Sequence, residues 1–178
     1  EDNVSDDVAL AIMKNTVVNM RRLLADVNDM QARGNLMWDS AMAENGILKV
    51  GRLTDFQAHQ MEHQLGAYTD CNHGQGLAVI HPVLYRHLYK ENVGQFARFA
   101  REVWGIPAEG KTEEEQAEAG IRALADFIRE IGMPTSFTEM GLTDKSVLKK
   151  VADTCNITAG CCKKLSRDEI LQILEECW

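Results

Sequence analysis

The chain has 178 residues, 45% of them apolar and 26% charged, which is the size and apolar content of one compact domain able to bury a sizeable core. A net charge of −8 and a pI near 5.1 argue against a general affinity for nucleic acid or anionic membrane, since both require clustered Lys and Arg; small molecules and proteins remain as partners. No apolar run approaches the roughly 18 residues of a membrane span and no signal-peptide pattern opens the chain, so a cytoplasmic setting is expected.

Helical period runs through nearly the whole chain, and no segment alternates apolar and polar residues as a half-buried strand does. Val8, Ile12, Val17, Met20, Leu23, Leu24 and Val27 recur at helical spacing, which predicts a helix over 5–27 with Ser5 as N-cap and Asp6 and Asp7 at the positive end of its dipole. Asn28 to Arg33 reads as a further short turn, Gly34 as an interruption, and a second helix resumes from Asn35 to Asn45 before Gly46 stops it. Thr54 or Asp55 caps the segment carrying His59 and His63, which runs to about Tyr68. After a loop, Asn72 caps the next helix, where Pro82 must cost a hydrogen bond. Another amphipathic stretch follows Asn92 and closes at Gly105 and Pro107. Thr112 with Glu115, and Ser166 with Glu169, spell capping boxes for two more helices, and the acidic run Glu113 to Glu118 is a solvated helix start. Between them lies a loop and another helix from Asp144. The sum is an all-α bundle of about seven or more helices, expected as a single domain over 1–178.

Five cysteines, two of them adjacent at Cys161 and Cys162, suit a reducing compartment better than a disulfide framework. Residue 1 is Glu and "EDNVSDD" reads as the middle of something longer, so a fragment is expected.

All five histidines fall between residues 55 and 87. His59 and His63, four apart, project from one helix face, and a short loop can fold His73 back beside them from the first turn of the next helix. Three imidazoles so placed suit zinc or ferrous iron, which take three or four protein ligands and keep a place open where they do chemistry; polar packing would account for them equally well. His81, among Val79, Ile80 and Val83, reads as structural, and His87 beside Arg86 and Lys90 as a solvated helix position. "HQMEH" at 59–63 also matches the inverted-zincin pattern H-x-x-E-H, in which Glu62 would activate water, but that leaves His73 and the glycines unexplained. Phe56 and Tyr68 flank the trio and read as core rather than pocket lining. Gly74 and Gly76 allow either a close backbone approach to a ligand or close helix packing.

The string His59-x3-His63-x-Leu65-Gly66-Ala67, continued by Asn72-His73-Gly74-x-Gly76-Leu77-Ala78 and ending near Pro82, resembles the signature of the iron-containing (group III) alcohol dehydrogenases, best their butanol dehydrogenase-like branch. The resemblance implies the all-helical C-terminal domain of a two-domain enzyme whose N-terminal α/β domain binds the dinucleotide. It implies His59 and His73 as metal ligands and His63 as the catalytic histidine that faces nicotinamide and substrate without holding the metal. The family's other two ligands, an Asp and a His four residues apart, have no counterpart upstream of His59, so they are expected before Glu1. The implied cofactors are a divalent metal, Fe2+ ahead of Zn2+, and NAD(P) bound mainly by the N-terminal domain that this chain lacks. Partners are a small alcohol or aldehyde, that N-terminal domain and a possible homodimer mate. The implied reaction interconverts alcohol and aldehyde or ketone by hydride transfer, with the chain alone inactive. Cys155 sits where some relatives place a cysteine near the active site. An inverted-zincin metalloprotease and a non-catalytic helical interaction module stay open as alternatives.

Overall fold

A computed structural model describes residues 3–178. Among the described residues the chain forms eight α-helices and no strand: α1 (Val4–Ala25), α2 (Met30–Glu44), α3 (Gln57–Thr69), α4 (His73–Leu88), α5 (Val93–Trp104), α6 (Glu113–Glu130), α7 (Val147–Thr154) and α8 (Arg167–Glu176). The architecture is all-α, as the periodicity predicts, and no described helix is long and apolar enough to cross a membrane.

Capping chemistry sets most boundaries. Asn72 caps α4 by accepting from the amide of Gln75 at 3.1 Å, and α4 then stays continuous through Pro82. Both capping boxes form, Thr112 with Glu115 and Ser166 with Glu169. Four starts differ from the sequence reading. Helix α3 begins at Gln57 with Phe56, not Thr54 or Asp55, at the cap position, and the Asp55 carboxylate accepts from the amide of Gln57 at 2.9 Å in the turn before it. Asn3, not Ser5, caps α1, and the Ser5 hydroxyl donates instead to the carbonyl of Val50 at 2.7 Å. Helix α2 begins at Met30 and runs unbroken through Gly34, because Asp29 accepts from the amide of Ala32 at 2.9 Å and supplies a start that outweighs one interior glycine. Helix α7 begins at Val147 rather than Asp144, whose carboxylate is used in a turn to the amide of Ser146.

The chain divides into two compact units, one of residues up to Leu53 with Gly94–Ala123, the other of Thr54–Val93 with Leu124–Trp178. In the first unit α1 meets α2 through polar groups. Asp39, nearly buried, accepts from Asn15 at 2.9 Å and Thr16 at 3.0 Å, while the buried Asn19 accepts from Asn35 at 3.0 Å. The apolar stripe read for α1 is therefore only partly core: Leu10 and Val17 are buried, Leu24 and Val27 exposed. In the same unit Gly120 lets α6 approach α5 closely, since a Cβ there would stand 2.8 Å from the Cβ of Ala100.

The second unit packs α3 on α4 and α7, and α8 on α4 and α7, around Met61, Leu65, Ile80, Phe137, Leu148, Val151, Ile173 and Leu174. Each such side chain contributes about 1.5–3 kcal/mol by leaving water. Buried Gln57, the first residue of α3, ties the Lys163–Leu165 loop to that helix. Its amide donates to the carbonyl of Lys163 at 2.9 Å and its oxygen accepts from the amide of Leu165 at 3.0 Å. The helix bearing His59 and His63 is thus held at its start by a residue 106 positions away in sequence.

Candidate metal centre

Every histidine named as a candidate lies in the second unit. Helix α3 ends at Thr69, Asp70 then takes a left-handed turn at φ 54°, and Asn72 caps α4 two residues later, so the reversal is tight. His59 and His63 stand one turn apart on α3, and His73 opens α4 opposite them. The ring centroids are 5.4 Å apart for His59 and His73, 5.2 Å for His63 and His73, and 5.8 Å for His59 and His63. Two imidazoles sharing one tetrahedral ion, each with a metal–nitrogen distance of ~2.1 Å, hold their ring centres roughly 5.3 Å apart. The fold thus brings the ring centres of the three predicted residues to the spacing of imidazoles around one first-row divalent ion, while the ligating atoms that lie within 4.8 Å of one another are those of Glu62, His63 and His73, without His59. The ring distances do not rank the three pairs against one another.

Glu62, read in the sequence only as the acid of the H-x-x-E-H pattern, has a different place in the structure. Its carboxylate is 2% exposed, lies between α3 and α4, and its Oε2 meets Nδ1 of His73. Ligating atoms of Glu62, His63 and His73 all lie within 4.8 Å of one another. Room for the carboxylate comes from Gly76, where a Cβ would stand 2.7 Å from Glu62 Cγ, and this assigns Gly76 to helix packing. The pattern of Glu62 with Gly76 was the available signal, since a buried acid needs both a partner and space.

The surroundings correct several readings. Phe56 is not core but 38% exposed, its ring edge-on to His59 at 5.3 Å; Tyr68 is also exposed, its hydroxyl 3.2 Å from that of Thr154. His81 lies behind the trio, its ring 6.4 Å from that of His59 and 5.4 Å from Tyr85; burial, then the neighbouring His59, pull its pKa down to about 4, so it is neutral. His87 is not freely solvated, because its Nε2 meets a Glu176 oxygen at 3.0 Å. Cys155 is buried with its thiol directed at the carbonyl of Ala152, and burial pushes its pKa up.

Against this geometry the family comparison decides the affiliation: the model for the Fe-containing alcohol dehydrogenase family, C-terminal, matches residues 1–178. The chain belongs to that family. NADH-dependent butanol dehydrogenase A of Clostridium acetobutylicum is 30% identical over 177 residues, covering 97% of this chain and 45% of that enzyme. NADPH-dependent aldehyde reductase YqhD of Escherichia coli is 28% identical over 153 residues, 84% of this chain and 39% of that enzyme. Among solved structures, NADH-dependent butanol dehydrogenase A from Thermotoga maritima superposes with a TM-score of 0.90 at 29% identity, over 99% of this chain and 46% of that one. The chain therefore spans about half the length of the relatives it matches. Membership in the Fe-containing alcohol dehydrogenases displaces the metalloprotease and interaction-module alternatives.

Proposed function

We propose that this chain is the helical, metal-binding half of an NAD(P)-dependent alcohol dehydrogenase. In this reading His59 and His73 hold a divalent ion, Fe2+ ahead of Zn2+, and His63 is the catalytic histidine beside nicotinamide and substrate. The convergence of the three rings at 5.2–5.8 Å, from two helices joined by a short loop, carries the reading. His59 is half-buried against Phe56 and His81, which suits a fixed ligand, whereas His63 is exposed, which suits a group that must meet a bound cofactor. When bound, the ion supplies Lewis acidity toward the alcohol or carbonyl oxygen while NAD(P) exchanges the hydride.

The chain's own residues do the rest. His59 and His73 would hold the ion from two helices, and His63, with one donor and one acceptor nitrogen, gives or takes the hydroxyl proton. Exposed Phe56 offers an apolar wall for a short aliphatic chain, in keeping with relatives named for butanol. The remaining metal ligands and the main dinucleotide contacts belong to other parts of the polypeptide, a homodimer is the expected assembly, and five free thiols fit a cytoplasmic setting.

The test is metal binding and turnover in the full-length polypeptide. Co2+, Zn2+ and Fe2+ should bind the parent, His59→Ala and His73→Ala should each lose the ion, and His63→Ala should keep the ion while losing butanal reduction by NAD(P)H. Unchanged metal binding in both ligand variants would overturn the assignment. The 178-residue chain alone should oxidise no NAD(P)H, and measurable turnover by it would contradict the division of labour proposed.

A further inference from the structure

We propose that Glu62 is the positioning residue of this centre: it accepts the Nδ1–H of His73 and so fixes the tautomer whose Nε2 keeps its lone pair for the ion. The inference rests on the reading of His73 as a ligand and gives Glu62 a role that neither the H-x-x-E-H pattern nor the family resemblance assigns to it. Four observations carry it. Glu62 is 2% exposed, and an acid so buried requires a partner; that partner is Nδ1 of His73. A carboxylate oxygen set against Nδ1 is placed to accept its N–H, the arrangement that leaves the opposite ring nitrogen with a free lone pair. The His73 side chain is 51% exposed, so its other edge is open while its Nδ1 edge is engaged. The helix crossing is also shaped around this carboxylate. A Cβ at Gly76 would stand 2.7 Å from Glu62 Cγ and 3.1 Å from Oε1, one at Gly66 would stand 3.6 Å from Oε1, and the Cys71 thiol lies 4.0 Å from the same oxygen.

A carboxylate behind a ligating histidine holds the ring's direction as well as its tautomer, and loss of such a partner characteristically weakens metal binding about 10–100-fold. The 2% exposure of Glu62 and its contact with Nδ1 of His73 favour this role over direct ligation, although its ligating oxygen also lies within 4.8 Å of the ligating atoms of His63 and His73.

The experiment uses the metal-free full-length protein with Glu62→Gln, Glu62→Asp, Glu62→Ala and His73→Ala. Competition with a chelating dye measures Co2+ and Zn2+ affinity, and long-range 1H–15N spectra of histidine-labelled protein report the His73 tautomer. The parent should show His73 protonated on Nδ1. Glu62→Ala should shift it toward the Nε2-protonated form and weaken both metals by about 10–100-fold. Glu62→Gln, whose amide oxygen can still accept, should largely keep the tautomer and lose less affinity. A purely structural Glu62 would lower thermal stability and leave tautomer and affinity as in the parent, which would overturn the proposal. If Glu62→Ala does not fold, the Gln and Asp variants carry the same comparison. Parent-like metal binding in the Glu62 variants with loss in His73→Ala would sink only this inference. Parent-like binding in His73→Ala would sink the ligand assignment itself.

Discussion

Gly76→Ala probes the α3–α4 crossing without touching a histidine. Gly76 is buried in α4, and the added Cβ would stand 2.7 Å from Cγ, 3.1 Å from Oε1 and 3.3 Å from Cδ of Glu62. Carbon–carbon contact is comfortable at ~3.5–4.0 Å, so something must yield by roughly 1 Å. Swinging only the carboxylate end does not suffice, because Cγ lies at the root of the side chain. Overpacking of this kind costs about 1–3 kcal/mol, while Ala in a helix gains ~1 kcal/mol over Gly, leaving a net loss of about 0–2 kcal/mol. In a Glu62→Ala background the clashing atoms are gone and the same substitution should stabilise by ~1 kcal/mol, a coupling of about 1–3 kcal/mol. Urea unfolding of the four metal-free proteins, followed by far-UV circular dichroism, measures the cycle. Effects that add to within ~0.5 kcal/mol would refute the claim that this glycine exists to admit that carboxylate.

Gln57→Leu should destabilise by about 2–3 kcal/mol, because it strips the buried amide of Leu165 and the carbonyl of Lys163 of their partner; parent-like unfolding midpoints would disprove the tie. In alkylation with iodoacetamide near neutral pH, Cys162 should react first, since its hydrogen bond with Cys161 holds its pKa down to about 7. Cys177, pushed up to about 12 by burial, should react only on unfolding, and peptide mass spectrometry reads the order. Lys163 at 2.6 Å, followed by the Ser166 amide and hydroxyl, lowers the Glu169 pKa from 4.5 to about 2. A depressed folded-state pKa stabilises in full above 4.5 and loses that contribution as pH falls toward 2, here about 1–2 kcal/mol after solvent screening. Melting temperatures from pH 5 to 2.5 should therefore fall less steeply for Glu169→Gln, and parallel curves would contradict the sign.

How much of this was legible in the sequence depends on how local the physics is. Helix type and the starts at Asn72, Thr112 and Ser166 follow from side chains that satisfy amides within four residues of themselves, so a linear reading reaches them. The start of α1 is a contest between two nearby caps. Asn3 wins because Ser5 finds a better acceptor at Val50, 45 residues away, and no local rule contains that partner. The apolar stripe of α1 misleads for a related reason. Periodicity reports which residues share a face, and where that face meets α2 the buried contacts run through Asn19 and Asp39, whose partners Asn35, Asn15 and Thr16 are assembled only by the fold.

At the histidines the limit is of another kind. Four-residue spacing makes His59 and His63 the natural pair, yet the cross-helix distances of 5.2 and 5.4 Å are shorter than the 5.8 Å within α3, so spacing along one helix loses its privilege once α4 folds back. What separates three nearly equidistant rings is what stands behind each of them. A metal selects among imidazoles by which nitrogen is free and how firmly the ring is held. His73 has a buried carboxylate on Nδ1, and His59 is flanked by the rings of Phe56 and the neutral His81. His63 is exposed on the open side of the same helix. The division into held rings and an open one follows the proposed division into ligands and a proton-handling group. It arises because Glu62, next to His63 in sequence, turns across the helix crossing and engages the ring of His73.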